Sequence, residues 1–486
     1  MKKRKVIVCP HSHTGIAAIL SLCSFLSSEN IEWVFLLPED LNNSDVLSNI
    51  NSTKVCTPYL DLKVKFLPYS KNASRYLKSF IYVARSKKLK SADRSTIQFD
   101  SNFSYGYRDL ILDFSTAAIK SFIGYTQLIW YFIYSLFRNA DCYIFTNDRT
   151  TSSANIFFKA ISFLRRTSVL IQTATIADTR YYVSDRISDH AYMISNNILS
   201  NRLCDHVLIK DRRTSLLLWS KTETLKMFFL GILPRKPLSC IGSLGHTYVL
   251  CTDYLCYLES SSSSYTPKGT KLLFTESIDS ALIRSNLTRR DDIFSHLQCK
   301  YFDEDTHEFI LLMVGNFVGH GMLSVEEYDS QLVQLIDELL YYYPKILISL
   351  HPTVPLSHCP NFSKKYSHLL LQERFNFAVA ACKAVISTHE SSLHPAILDA
   401  HIPCLIFPFT YDSVYSNNNI SSYDISFYCN KFSIQLPVDC KELSFREFLD
   451  KVTLLGQLPP SKSNLQAQRL NLSNVFAEIL SANNTV

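Results

Sequence analysis

Glycine is scarce in this chain, with 11 in 486 residues. That scarcity excludes a collagen-like repeat. No Gly-x-Gly-x-x-Gly follows the first apolar segment, so a dinucleotide fingerprint is not supported. Among the 14 cysteines there is no C-x-x-C pair, the closest two being Cys251 and Cys256. A zinc ribbon or a thioredoxin-type redox site therefore has no framework here. Long apolar runs are missing as well. The opening MKKRKVIVCPHSH places only four apolar residues between its basic cluster and Pro10, too few for a signal peptide and suited to a buried first strand. Without export, the thiols are expected to be reduced in a cytosolic protein. Charge is modest: 49 Lys and Arg against 43 Asp and Glu leave +6. That balance favours an anionic ligand or a membrane face and is too weak to argue for nucleic acid.

What the chain does have is size and a repeated order of elements. At 486 residues, 47% of them hydrophobic, it exceeds what one core normally serves, so two domains are expected. The clearest pattern runs from Phe309 to Phe409. An apolar strand (FILLMVGNF, Phe309 to Phe317) precedes an amphipathic helix, and a second strand (ILISLHP, Ile346 to Pro352) ends in His-Pro. A third (AVIS, Ala384 to Ser387) runs into His-Glu-Ser-Ser, followed by a short helix and a last strand (PCLIFPF, Pro403 to Phe409). Strands and helices alternating through short connections predict a parallel sheet with crossover helices. Ligands of such sheets sit off the carboxyl ends of the strands, where His351, Pro352, Ser391 and Ser392 fall. The two serines open a helix, so their hydroxyls and the free N–H groups of its first turn could hold a nucleotide phosphate. His351, one strand away, could donate to the same phosphate. The structural alternatives are a plain turn at His-Pro and an N-cap at the serine pair.

In the first half, Val6 to Cys9 reads as a strand and His11 to Gly15 as a loop before a helix from Ile16 to Leu26. Ile31 to Leu37 and Val64 to Leu67 read as the next two strands. His11 and His13 are expected at a strand's carboxyl end, either facing an interdomain cleft or as ordinary loop histidines. The basic residues from Arg85 to Arg94 read as a solvated face. The uncharged, aromatic-rich stretch Ser121 to Phe137 (SFIGYTQLIWYFIYSLF) would span about 25 Å as a helix, short of the roughly 20 apolar residues that cross a bilayer. It is expected to pack on the sheet. The functional alternative is an interfacial helix that, with the basic residues before it, seats the protein on an anionic inner leaflet. Asp141 to Thr146 is a strand ending in Asn147-Asp148-Arg149, followed by a helix from Ser152 to Leu164 and a strand from Ser168 to Gln172. From its position alone Asp148 reads as a local cap. Asp205 to Lys210 and Met227 to Leu233 read as the last strands of this half. Residues 240–300 read as a connection with an irregular insertion around the five-serine run, with Lys271 to Thr275 a candidate extra strand. A helical pattern from Leu465 to Leu480 closes the chain. His389 and His394 are five residues apart, off one helical face, so no metal is expected there.

The His-Pro at 351 to 352, the serine pair at 391 to 392 and the segment GNFVGHGMLSVEEYDSQLVQLIDELLYYYPKILISLHP together resemble a known family. They look like the carboxyl-terminal domain of GT-B glycosyltransferases that use CMP-activated acidic sugars, the bacterial sialyltransferase and polysialyltransferase type. The similarity covers about a quarter of the chain. Asn147-Asp148-Arg149 between a strand and a helix also looks like the same place in GT-B enzymes and in UDP-N-acetylglucosamine 2-epimerases. The resemblance implies an α/β, GT-B-like fold of two Rossmann-like domains whose parallel sheets face a central cleft. Residues 1–300 would be the acceptor domain and 301–486 the nucleotide-sugar domain, its terminal helix crossing back. The donor would be held by Gly315, His351, Pro352, Glu390, Ser391 and Ser392, with no metal and no cofactor beyond the CMP-linked donor. In that family an acidic triplet supplies the general base. This sequence has no such triplet, which leaves Asp148, Asp178 and His13 as candidates. The implied activity is transfer of sialic acid or a related acidic sugar to a bacterial surface polysaccharide or lipooligosaccharide, in the cytoplasm or on the inner face of the membrane. CDP-glycerol transfer, a UDP-N-acetylglucosamine 2-epimerase and a non-catalytic assembly scaffold are the alternatives.

Overall fold

The computed structural model describes residues 3–10, 13–26, 30–37, 61–66, 107–146, 153–173, 193–194, 208–210, 215–217, 229–231, 241–242, 244–252, 254–262, 266–303, 305–318, 323–351, 354–388, 391, 393–400, 402, 404–406 and 469–482. Two separate parallel sheets organise them. The first contains β1 (Arg4–Cys9), β2 (Ile31–Leu37), β3 (Asp61–Phe66), β4 (Cys142–Phe145) and β5 (Ser168–Ile171). Three short segments, β6 (Met193–Ile194), β7 (Leu208–Lys210) and β8 (Ser215–Leu217), pair antiparallel in a small sheet of their own. β9 (Tyr248–Cys251) and β10 (Lys271–Phe274) then complete the first sheet, in the order β10-β9-β5-β4-β1-β2-β3. The second sheet holds β11 (Ile310–Val314), β12 (Ile346–Leu350), β13 (Ala384–Ser387) and β14 (Cys404–Ile406), in the order β12-β11-β13-β14.

Residue alternation explains why both sheets are covered on two faces. In β1 and β2, Val6, Val8, Trp33 and Phe35 enter one core, while Ile7, Cys9, Val34 and Leu36 enter the other. The first core is closed by α1 (His13–Phe25) and by α11 (Leu472–Ala482), the opposite one by α2 (Tyr107–Phe137), α3 (Ser153–Phe163) and Cys256 of α4 (Tyr254–Ser262). The second sheet repeats the scheme. Ile310, Leu312, Ile346 and Ile386 pack under α7 (Val325–Tyr342) and α8 (Pro360–Tyr366). Leu311, Met313, Leu347 and Val385 pack under α5 (Ile278–Leu287), α6 (Arg290–Tyr301), α9 (Phe375–Ala381) and α10 (His394–Asp399). α7 begins where its sequence says it should: Ser324 accepts the Glu327 N–H at 3.2 Å and Glu327 accepts the Ser324 N–H at 2.7 Å, a closed capping box.

Several sequence expectations are relocated. Leu208–Lys210 is a strand, but of the small antiparallel sheet and not of the parallel one. Within Met227 to Leu233, the described residues 229–231 form a helical end and a turn instead of a strand. Gly231 takes φ +64 there, and Leu230 packs so closely on Gly124 of α2 that a Cβ on Gly124 would sit 2.8 Å from it. The stretch 240–300 carries the last two strands of the first sheet: β10 falls within the candidate strand Lys271 to Thr275, whereas the four-residue β9 was not foreseen. The 121–137 helix does pack on the sheet, through one face only, and extends back to Tyr107. Among the described residues no helix is long and apolar enough to cross a membrane.

Candidate functional site

Strand order fixes where each sheet can open. A crevice forms at the carboxyl edge where neighbouring strands send their connections to opposite sides. In the second sheet that point lies between β11, which leads to β12, and β13, which leads to β14. In the first it lies between β1, which leads to β2, and β4, which leads to β5.

At the second-sheet edge the registers Val314↔Leu350 and Met313↔Ser387 bring three strand ends level. Gly315, His351 and Thr388 are the residues that follow those ends. The His351 N–H donates to Val314 O at 2.9 Å and the Thr388 N–H to Met313 O at 3.0 Å, which continues the ladder one residue beyond each strand. Gly315 is fixed from two sides: its N–H donates to Thr388 Oγ1 at 3.1 Å, and its carbonyl accepts the Tyr328 hydroxyl at 3.0 Å. Burial pushes the Tyr328 phenol well above its ordinary value, with the charges of Cys359 and Asp329 adding to it, so it stays a neutral donor. Beyond β12, the Val354 N–H donates to His351 O at 2.9 Å. Beyond β13, Ser391 Oγ accepts the Leu393 N–H at 3.2 Å and Ser391 O accepts the His394 N–H at 3.2 Å. Ser391 thus accepts from the two residues at the start of α10 from a position before the helix's own N-cap.

Of the other residues expected here, Pro352, Glu390 and Ser392 lie outside the described residues, as do Asp148 and Asp178 in the first half. His13 is the first residue of α1, directly beyond β1. Asp148 follows β4 in the chain and Asp178 follows β5, and β1, β4 and β5 are neighbours in the sheet. At that edge Gly15 is pressed against the end of β4, where an added Cβ would meet Thr146 Oγ1 at 2.7 Å. Sequence reasoning missed Thr388 and Tyr328. Thr388 directly follows the AVIS strand, and Tyr328 lies one helical turn inside the capping box, so position was their only signal. Among the described residues no group of three or more His, Cys, Asp or Glu gathers as a metal site.

No protein-family model and no curated protein matches this chain. Solved structures do. A UDP-GlcNAc 2-epimerase from Neisseria meningitidis bound to UDP-GlcNAc superposes over 98% of this chain and 100% of its own, at 10% identity and a TM-score of 0.43. Arabidopsis thaliana UGT89C1 complexed with UDP matches over 99% and 100% at 10% identity and a TM-score of 0.47, and the spinosyn rhamnosyltransferase SpnG over 98% and 100% at 11% and 0.40. These likenesses are loose, and the class rests on the topology itself: an α/β protein of GT-B-like layout, with two doubly wound parallel sheets each left open at a switch point.

Proposed function

We propose that this chain is a glycosyltransferase that takes its sugar from a nucleotide-sugar donor bound at the carboxyl edge of the second sheet. The observation that carries the reading is the level set of strand ends there: Gly315, clamped by Thr388 and Tyr328, lies between His351 and the turn that holds Ser391. A clamped glycine gives a backbone that a phosphate can approach closely, and hydroxyl, imidazole and N–H donors on either side of it suit a leaving phosphate. Holding that phosphate lowers the barrier to breaking its bond with the sugar. Pro352, Glu390 and Ser392 complete the donor site in this proposal, Glu390 toward ribose or base.

The acceptor is a glycan or glycolipid that enters over the first sheet. There a general base removes the proton of the attacking hydroxyl as it reaches the anomeric carbon. His13, Asp148 and Asp178 each follow one of three adjacent strands at that edge, and all three remain candidates. The resemblance of the His-Pro and Ser-Ser segments favours a CMP-linked acidic sugar such as sialic acid as donor, used in building a bacterial surface polysaccharide at the cytoplasmic side.

A thermal-shift titration with CMP, CDP, UDP and GDP tests the donor. A ligand that binds only the folded chain at about a hundred times its Kd stabilises by about 2.7 kcal/mol. Selective stabilisation by CMP, lost in His351→Ala while the unliganded melting point is kept, is the expected result. Selective stabilisation by UDP replaces the CMP assignment with a UDP-sugar transferase or an epimerase, and no response to any nucleotide favours the scaffold role.

A further inference from the structure

The outward face of α2 is built the wrong way round for water. A surface helix ordinarily buries its apolar stripe and exposes its charges. In α2 the buried positions include Ser121, Gly124, Tyr131 and Ser135, with the Ser135 hydroxyl donating to Tyr131 O at 2.7 Å. The exposed positions include Phe122, Ile129, Trp130, Ile133, Leu136 and Phe137, between 41% and 83% open. Their spacing sets them on one stripe. No charged residue interrupts it from Ser121 to Phe137. Phe163, at the end of the packed helix α3, is likewise 61% exposed. Single apolar side chains on a surface need no explanation, but a continuous stripe with a polar rim does.

The rim is cationic. The Arg138 guanidinium lies 5.1 Å over the Tyr134 ring at the end of the stripe. Partial burial, with the charges of Arg138 and Lys5 adding to it, holds the Lys65 ammonium below the ordinary lysine value. Along another edge, Lys159 Nζ donates to Gly231 O at 3.2 Å and sits 5.9 Å from the Phe163 ring centre. The same turn accepts the Tyr125 hydroxyl through Phe229 O, which ties that edge to α2. Among the described residues Glu32 pairs with Lys63 at 2.9 Å and Asp61 with Lys3 at 3.1 Å, and Asp141 accepts the Lys5 backbone N–H at 2.6 Å. An apolar stripe carrying Trp and Tyr and bordered by Arg and Lys complements one surface in particular. Acyl chains meet the stripe, and headgroup phosphates meet the rim.

We infer that α2 is a membrane-docking helix that lies in the headgroup–acyl boundary of an anionic bilayer. This inference does not depend on the glycosyltransferase reading. Its test is sedimentation of the full chain with vesicles of phosphatidylcholine alone and of phosphatidylcholine mixed with phosphatidylglycerol. Capture by the mixed vesicles, weakened by salt, is expected, with a blue shift of Trp130 emission and its quenching by brominated acyl chains. The triple variant Phe122→Ser, Ile129→Ser and Ile133→Ser should bind about tenfold more weakly or less, while melting normally because all three side chains are exposed. Three outcomes overturn the inference: wild type not captured by phosphatidylglycerol vesicles, a folded triple variant captured as well as wild type, or a dimer that the triple variant dissociates in the absence of any vesicle binding. The last assigns the face to a second copy.

Discussion

Replacing His246 by Phe should flatten the acid sensitivity of this protein. His246 is fully buried, its ring centre 3.8 Å from that of Phe158 and 5.2 Å from that of Phe145. Among the described residues neither of its ring nitrogens has a hydrogen-bond partner. Burial alone holds its pKa down to about 3, against an ordinary 6.5. Between those values the unfolded chain binds a proton that the native chain refuses, so stability is lost as pH falls below 6.5. At about 1.4 kcal/mol for each pH unit below the unfolded value, the loss between about pH 7.5 and about pH 5 comes to about 2 kcal/mol. Phenylalanine keeps an aromatic ring against Phe158 and has no titrating nitrogen. Urea unfolding of wild type and His246→Phe at both pH values measures the difference directly. The acid-induced loss should be smaller in the variant by about 2 kcal/mol, and equal losses in the two proteins would refute the account of a neutral, unpartnered imidazole.

Thr388→Val keeps the shape of a buried side chain and removes the acceptor of the Gly315 N–H, so it should cost about 1–3 kcal/mol in chemical unfolding and shrink any nucleotide-induced rise in Tm. Gly15→Ala should cost about 1–3 kcal/mol because its Cβ meets the Thr146 side chain, and a Thr146→Ala background should recover part of the loss in a double-mutant cycle. Glu276 accepts Arg284 and the Leu472 N–H, the latter at 2.8 Å, where α11 joins the first core. Glu276→Ala should therefore make the segment around Leu472 more susceptible to limited proteolysis than it is in wild type.

The second sheet was legible because its strands are continuous apolar runs with short punctuated connections, and FILLMV, ILISL and AVIS each contain an observed strand. The first sheet was legible at β1, β2, β4 and β5 for the same reason. β9 escaped because YVLC is four residues long and pairs only with strands distant in sequence or across an intervening helix. Met227 to Leu233 misled because its Leu230 packs on Gly124 of α2, a tertiary contact that leaves no periodicity in the segment itself. The polarity of α2 was the least readable feature. Ser121 to Phe137 contains both the residues that face the sheet and those that face outward, and only the structure separates Ser121, Tyr131 and Ser135 from Phe122, Ile129 and Trp130. At the candidate site the motif residues His351 and Ser391 were visible by type, whereas Thr388 and Tyr328 act through Gly315 and carry no motif.

The two sheets are not separable pieces of chain. Ile278 and Ala281 of α5 belong to the first core, whereas Ile283 of the same helix, with Ile293 and Leu297 of α6, belongs to the second. A fragment starting at 301 would lose the part of the cover that α5 and α6 supply and leave only α9 and α10 over the face of Leu311, Met313 and Leu347. A fragment starting at 276 would keep the cover but carry α11, whose Val475, Phe476 and Ile479 are buried against the first core. Leu470 also pairs with Thr275 beside β10, so the returning segment extends the first sheet's edge just before Glu276 anchors the start of α11. Arg374, at the start of α9, reaches Ser21 of α1 at 3.2 Å, a further contact between the second sheet's cover and the first's. Any relative movement of the two open edges, where donor and acceptor would meet, therefore has to shear α5 against α1 and α9 instead of bending a free linker, because the crossing segment is itself core.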